Sequence, residues 1–345
     1  MNKNTIKIKN IYYMLMYYEN ISSLKRVFKK IDTINFETDL FNFLAEILIN
    51  EVKYIIKKGV NKAYIKEYDS IKGIKGKVDI NTSLKQQTFI NGKAFCYFDS
   101  YIENTIENII LKKTLKKIYS IKKINLILKN KVKYLLFYFQ NVSEDKIINK
   151  NLNKLKLNRE ILYYEVALNT CKLLNENILI NENNGEIYFY DFSKDEYKMN
   201  LIFEGFIRNF YKIHLNEFSG KIVKRIDIKW NNLKGYDLNF LPKMQTDITI
   251  YLQNKIIIID AKYYRETLNK NNKIHSSHLY QLTSYLDKYS PKLLPLQGIL
   301  IYPEVKESLN LSYQYNLKNS LKIKTIDLNE EWLNIHKALI EIIKE

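Results

Sequence analysis

Residues 246–264 read TDITIYLQNKIIIIDAKYY, and the fold is decided here. Residues 247–252 are apolar or alternate, Gln253-Asn254-Lys255 supplies turn chemistry, and Ile256 to Ile259 form a β-branched run that stops at Asp260-Ala261-Lys262. This is the pattern of a β-hairpin whose second strand is covered on both faces. Strand residues two apart point the same way, so Asp260 and Lys262 share a side. Asp247 opens the first strand, and an antiparallel turn returns its carboxylate to the level of Asp260.

Two carboxylates and a lysine converging at a sheet edge suit metal-dependent phosphodiester hydrolysis. Hard oxygen ligands bind Mg²⁺, the ion polarises a phosphoryl oxygen and eases ionisation of water, and the ammonium orients that water or offsets phosphate charge. An Asp-x-Lys triplet alone is common in exposed hairpins; the buried run and the preceding Asp247 set this one apart. On the N-terminal side, 201–215 reads as a helix with Phe203, Phe206, Ile207, Phe210 and Ile213 on one face, and Glu204 lies at its flank. On the C-terminal side, Leu279, Leu282, Leu286 and Tyr289 define another helix face. Gln281 and Tyr285, four apart, project together beside it, placed to bind a phosphate or hold the lysine.

Upstream, 10–20 and 38–58 read as apolar helices, 62–98 as strands and turns punctuated by Gly73, Gly76 and Gly92, and 102–117 as a helix with a basic face. Residues 159–177 read as a helix, 186–190 as a short strand, and 222–230 and 236–240 as strands. The polar stretch Gln140 to Asp145, continued by the Asn/Lys-rich 149–158, divides the chain into 1–150 and 151–345. Lys3, Lys7 and Lys9 before Ile11 to Tyr18 superficially mimic a signal peptide, but the tyrosines fit a buried helix better. His275-x-x-His278 reads as part of a polar loop.

The chain has 345 residues, enough for two cores, and its 46% hydrophobic content includes no run long enough to span a bilayer. Two cysteines, Cys96 and Cys171, point to a reducing cytoplasm instead of a disulfide scaffold. Against 37 acidic residues stand 55 basic ones, for a net charge of +18. Only positions 26, 159, 208, 225 and 265 are Arg, so the excess is lysine. It fits a polyanionic partner, and equally an AT-rich codon bias. There is no G-x-x-x-x-G-K-[ST] loop to hydrolyse nucleotide and no helix-turn-helix or zinc-finger pattern.

The series Glu204, Asp247, Asp260-Ala-Lys262, Gln281-x-x-x-Tyr285 resembles the PD-(D/E)xK nuclease superfamily, in its branch with a trailing Q-x-x-x-Y helix. Asn10-Ile-Tyr-Tyr-Met-Leu15, Gly73-Ile-Lys-Gly-Lys-Val-Asp79, Cys96-Tyr-Phe-Asp99 and Asn104 through Asn108 to Lys112 are similar to successive landmarks of the McrC family, the nuclease subunits of McrBC modification-dependent restriction systems. The resemblance implies an α+β or α/β chain, with a mixed helical and β N-terminal region (1–150) that engages a hexameric McrB-type AAA+ GTPase. A C-terminal restriction-endonuclease-like domain (151–345) would follow. It implies Mg²⁺ as cofactor, held by Asp247, Asp260 and Glu204. Lys262, Gln281 and Tyr285 would complete the catalytic set, and GTP would bind the partner, not this chain. Double-stranded DNA carrying a modification such as methylcytosine is the implied substrate, with no membrane partner. The 62–98 segment would enter the partner ring, with Lys75 and Lys77 where the family carries Gly-Arg-like basic residues. Thr246 stands in place of the usual Pro, and lysine cannot reproduce a bidentate arginine contact. Two other readings stay open: a non-catalytic activator of the GTPase, and a stand-alone nuclease of the same fold.

Overall fold

The computed structural model of the chain describes residues 6–22, 24, 27–28, 39–144, 157–181, 185–230, 240–264, 266–289 and 294–345. They divide into two compact units, one formed by 1–33 with 191–345 and the other by 34–190.

The unit that holds both ends of the sequence begins with helix α1 (Ile8–Tyr18), buried from Asn10 to Tyr17. The Asn10 amide donates to the carbonyls of Leu328 (2.7 Å) and Glu330 (2.9 Å). Tyr17 stacks on Trp332 with ring centroids 5.6 Å apart, and its ring also meets Phe206 and Phe210. The tyrosines at 12, 13 and 17 are thus core residues, as the pattern indicated, while Tyr18 is exposed.

The inserted unit is built on α2 (Leu40–Lys58), capped by the Asp39 side chain and ended at Gly59. Strands β1 (Ala63–Lys72) and β3 (Lys93–Ile102) form a ten-residue antiparallel ribbon, registered from Ala63↔Ile102 to Lys72↔Lys93. Strand β2 (Lys77–Val78) adds to its side, and helix α3 (Ile80–Lys85) follows. Just before β2, Gly76 has φ +69°, and a Cβ there would run into the Tyr97 carbonyl, so the turn requires glycine. Tyr64↔Tyr101 and Tyr68↔Tyr97 are directly opposed, their rings 4.6 and 4.3 Å apart, and all four are exposed. Helix α4 (Ile106–Ser120) packs on α5 (Leu126–Phe137) and α6 (Glu165–Asn177), both of which pack on α2, and a short hairpin of β4 (Ile178–Ile180) and β5 (Ile187–Phe189) follows.

The remainder of the first unit carries helix α7 (Glu196–Ile213) and a six-stranded sheet. The strands are β6 (Ile222–Lys224), β9 (Ile248–Tyr251), β10 (Ile256–Ala261), β11 (Leu296–Pro303), β12 (Asn310–Gln314) and β13 (Ser320–Ile326). A separate pair, β7 (Asp227–Ile228) and β8 (Met244–Gln245), lies between β6 and β9 in sequence. The sheet order is β12-β13-β11-β10-β9-β6, with β10, β11 and β13 parallel and the others antiparallel. Helix α8 (Ser276–Lys288) packs on β10 and β11 through Leu282 and Leu286, and α9 (Trp332–Lys344) packs on β13. The mixed α/β architecture agrees with the fold class inferred from sequence.

Four sequence expectations need correction. The compact units do not follow the division into 1–150 and 151–345. Residues 142–143 are tied into the inserted unit, with the Lys112 ammonium donating to the Val142 carbonyl (2.6 Å) and the Ser143 amide to Asn104 (2.7 Å). Residues 159–190 pack there too, and α1 belongs with the sheet. The stretch 145–156 lies outside the described residues. Second, 222–230 is not one strand: pairing passes from β9 to β8, and Arg225 falls in the gap. Of the expected strand 236–240 only Phe240 is described, and it is not in a strand. Third, 159–177 opens with a 3-10 turn (Arg159–Tyr164) before α6, and α7 starts at Glu196, capped by Asp195. Fourth, His278 sits in the first turn of α8 and is buried, with Nδ1 3.0 Å from the Tyr302 hydroxyl. Among the described residues no helix is long and apolar enough to cross a membrane.

Two measurements check these packing assignments. Asn108 is fully buried; its amide donates to the carbonyls of Asn61 and Glu103 (2.8 Å each), and its oxygen accepts from Tyr164, whose hydroxyl accepts in turn from the Asn61 amide. Asn108→Ala orphans several of these groups and is expected to cost roughly 2–4 kcal/mol in urea unfolding, with Tyr164→Phe costing less. For His278, burial, then His275 and Lys262, push the imidazole down to about 4. An unfolded chain takes up that proton near pH 6.5. Stability should therefore fall as the pH drops through that window, and the fall between pH 7 and 5 should be shallower in His278→Gln, read by thermal melts.

Candidate functional site

The hairpin register Ile256↔Tyr251 to Ile259↔Ile248, carried one step further, sets Asp247 opposite Asp260. Asp260 is completely buried and Asp247 nearly so. Every residue of β10 is buried, so the isoleucine run carries Asp260 into a water-poor site. Thr246, in the position where proline was expected, accepts a hydrogen bond from the Ile226 amide (2.9 Å), donates its own amide to the Ile226 carbonyl (3.0 Å), and meets the Thr249 hydroxyl (2.9 Å). The hydroxyl and amide of Thr246 thus fix the approach to Asp247.

Lys262 lies between the two carboxylates, with Nζ 3.0 Å from Asp260 Oδ1 and 3.7 Å from Asp247 Oδ2. Its own amide continues the parallel pairing by donating to Ile301 (3.0 Å), and the next amide, of Tyr263, donates to Asn200 on α7 (2.8 Å). Burial works against the Lys262 charge, but the fields of Asp260 and Asp247 outweigh it and raise its pKa. Asp247 responds oppositely: burial, then the facing Asp260 carboxylate, push it up to about 7 against the pull of Lys262 and Arg225. Close carboxylates in a dry site hold a proton or require a cation.

The donor set passes the test for such a cation. Among the described residues, Asp247 Oδ2 and both Asp260 oxygens are buried without a hydrogen-bond partner, with Lys262 in ion-pair range of Asp247 Oδ2 and Asp260 Oδ1. Three orphaned carboxylate oxygens are hard ligands of the kind that a small divalent ion takes.

Glu204 joins this group indirectly. Its Oε1 accepts from Arg208 (2.7 Å), one turn along α7, and from Arg225 (2.7 Å), while Arg225 lies 4.0 Å from Asp247 Oδ1. Sequence reasoning missed both arginines. Its own observation held the signal: in a chain where lysine dominates, two of five arginines sit here, where a planar fork can bridge acids. The Gln281 amide donates to the Tyr285 hydroxyl (2.8 Å), which donates to the Gln245 carbonyl (2.8 Å). The pair, expected to bind phosphate or hold Lys262, anchors in this structure the backbone two residues before Asp247. Lys75 and Lys77 belong to the inserted unit, both exposed, with the Lys75 ammonium 4.3 Å above the Phe98 ring.

The chain is 29% identical over 352 residues to the "Type IV methyl-directed restriction enzyme EcoKMcrBC" of Escherichia coli K12, covering 100% of this chain and 99% of that relative. Its fold superposes with a TM-score of 0.66 on a chain in the refined half-complex from the tetradecameric assembly of Thermococcus gammatolerans McrB AAA+ hexamers with bound McrC. The superposition covers 97% of this chain and 74% of that one at 13% identity. The family model of the McrBC 5-methylcytosine restriction system component matches residues 2–303, from the N-terminal helix to the end of β11, and the chain belongs to that family.

Proposed function

We propose that this chain is the DNA-cleaving subunit of a McrBC-type restriction system. It works in the cytoplasm with a McrB-type AAA+ GTPase whose GTP hydrolysis it stimulates, and it cuts foreign double-stranded DNA that carries methylcytosine or a similar modification. The observation that carries this reading is the pair of facing carboxylates with three orphaned oxygens and Lys262 between them. A chain acting only as a GTPase activator has no use for so costly an arrangement.

In this reading Asp247 and Asp260 would hold Mg²⁺, and Glu204 would assist if its arginine contacts loosened. The bound ion supplies Lewis acidity, polarising a phosphoryl oxygen and easing ionisation of water. Lys262, kept cationic by its acidic neighbours, is a donor and not a base: it orients the attacking water or offsets the charge that builds on the phosphate. Arg225, 44% exposed, stands where a DNA phosphate can replace Glu204 as its partner. Tyr285 and Gln281 keep Asp247 in register through Gln245. The β1–β3 ribbon, with Lys75 and Lys77 near its turn, is the element we assign to the GTPase ring.

Asp260→Ala and Lys262→Ala are each expected to lower cleavage by at least about 100-fold while the complex with the GTPase still assembles. The assay combines the partner, GTP, Mg²⁺ and methylated or unmethylated DNA, and cutting that persists in either variant removes these residues from the assignment. The double variant Lys75→Ala/Lys77→Ala is expected to weaken stimulation of GTP hydrolysis without touching the carboxylate site. Stimulation at the wild-type level would place the GTPase contact elsewhere.

A further inference from the structure

The chain has four histidines, and two of them meet on one carboxylate away from the hairpin. His214 is the C-cap of α7, and the 3-10 turn Leu215–Phe218 folds Glu217 back so that Oε1 lies 2.6 Å from His214 Nδ1. From α9, far along the sequence, His336 places Nε2 2.7 Å from the other oxygen, Oε2. The two imidazoles stand edge to face with centroids 4.5 Å apart. The three candidate ligand atoms, one from each side chain, all lie within 4.8 Å of one another.

The surroundings suit metal ligation as well. The other His214 nitrogen, Nε2, is 2.9 Å from the hydroxyl of Tyr17 on α1. The hydroxyl is placed to accept an N–H from Nε2 and leave the Nδ1 lone pair for a metal, the usual arrangement of an orienting partner behind a histidine ligand. The side chains of His214, Glu217 and His336 are 18, 45 and 22% exposed, so water can reach the cluster. Tetrahedral coordination with bonds of about 2.0–2.1 Å sets ligand atoms about 3.3 Å apart, which these side chains reach by shifts on the order of 1 Å.

We propose that His214, Glu217 and His336 form a second cation site, which takes a zinc-class divalent ion through two imidazole nitrogens and a carboxylate oxygen, with water in the fourth position. Its chemistry separates it from the hairpin. Asp247 and Asp260 offer only hard oxygens, whereas imidazole favours zinc, cobalt or nickel over magnesium. Each metal–nitrogen bond replaces a contact now made to Glu217, and any proton held between those atoms leaves to solvent. The ion would clip α9 to the end of α7, the helix that carries Glu204 ten residues earlier, about 15 Å along its axis.

The test uses the full chain, stripped with a chelator, in an Asp247→Asn/Asp260→Asn background that removes the oxygen site. Titration with Co²⁺ is expected to give the visible absorption of a four-coordinate nitrogen–oxygen complex at one ion per chain, which one equivalent of Zn²⁺ abolishes. Added His336→Gln, which keeps a hydrogen-bond donor to Glu217 but offers no ligand nitrogen, should remove the signal, and Tyr17→Phe should weaken Zn²⁺ binding about 10-fold. Thermal melts with and without Zn²⁺ read the same binding as a stability gain that His336→Gln lacks, and the melts without metal confirm that each variant folds. Failure to bind one Zn²⁺ or Co²⁺ tighter than about 10 μM, or binding unchanged by His336→Gln, would overturn the proposal and leave the trio a hydrogen-bonded brace. Because the background lacks the hairpin acids, either outcome is independent of whether that site cleaves DNA.

Discussion

Two carboxylates face each other where water cannot separate them, and the architecture around the hairpin follows from that constraint. Like charges at close range in a low-dielectric site repel strongly and lose hydration besides. Asp247 and Asp260 are nevertheless held in place by contacts that leave them little room to turn apart. Thr246 ties the first strand to Ile226, Tyr285 grips the Gln245 carbonyl, and the Tyr263 amide fastens the end of β10 to α7. Lys262 and Arg225 supply the positive charge that makes the site tolerable without a metal, and Glu204 and Arg208 extend the alternation of sign outward. Strain of this kind suits a centre built to take a cation.

The central hairpin was legible because everything that defines it is local. The turn at Gln253 to Lys255 fixes the register, and the register fixes which residues oppose Asp260. Arg225 was illegible for the opposite reason. Residues 222–230 have the composition of one continuous strand, and only the presence of two different pairing partners, β9 and then β8, breaks it and frees the arginine to reach Glu204. The same holds for His278: a histidine near polar residues resembles loop chemistry until α8 packs on the sheet and turns it inward. The compact units are bounded elsewhere than at residue 150 because composition marks polarity, not contact. The stretch before residue 145 is polar yet fastened to α4 by Lys112 and Asn104.

The large positive charge also reads differently against the structure. Part of it is committed internally: Lys112 to the Val142 carbonyl, Lys131 to Glu46, Lys324 to Glu345 and Asn310. Those side chains are poor candidates for phosphate contacts. The exposed lysines remain available for non-specific, salt-sensitive attraction to DNA, while the two arginines at Glu204 are placed for directed chemistry. Net charge alone cannot separate these populations.

The aromatic cluster around α1 has a consequence for how the chain is made. Tyr17 has its stacking partner in Trp332, so α1 can be buried only after α9, about 315 residues further along the chain, has been made. At about 5–20 residues per second that is a wait of roughly 15–60 s. During it a helix with three tyrosines to bury has no completed core, while the inserted unit, contiguous in sequence from 34 to 190, can close on its own. The unit bearing the candidate nuclease site is therefore the last to form. Until α8 and β11 have been made, β10 lacks the helix and the strand that enclose Asp260, so the candidate site closes late.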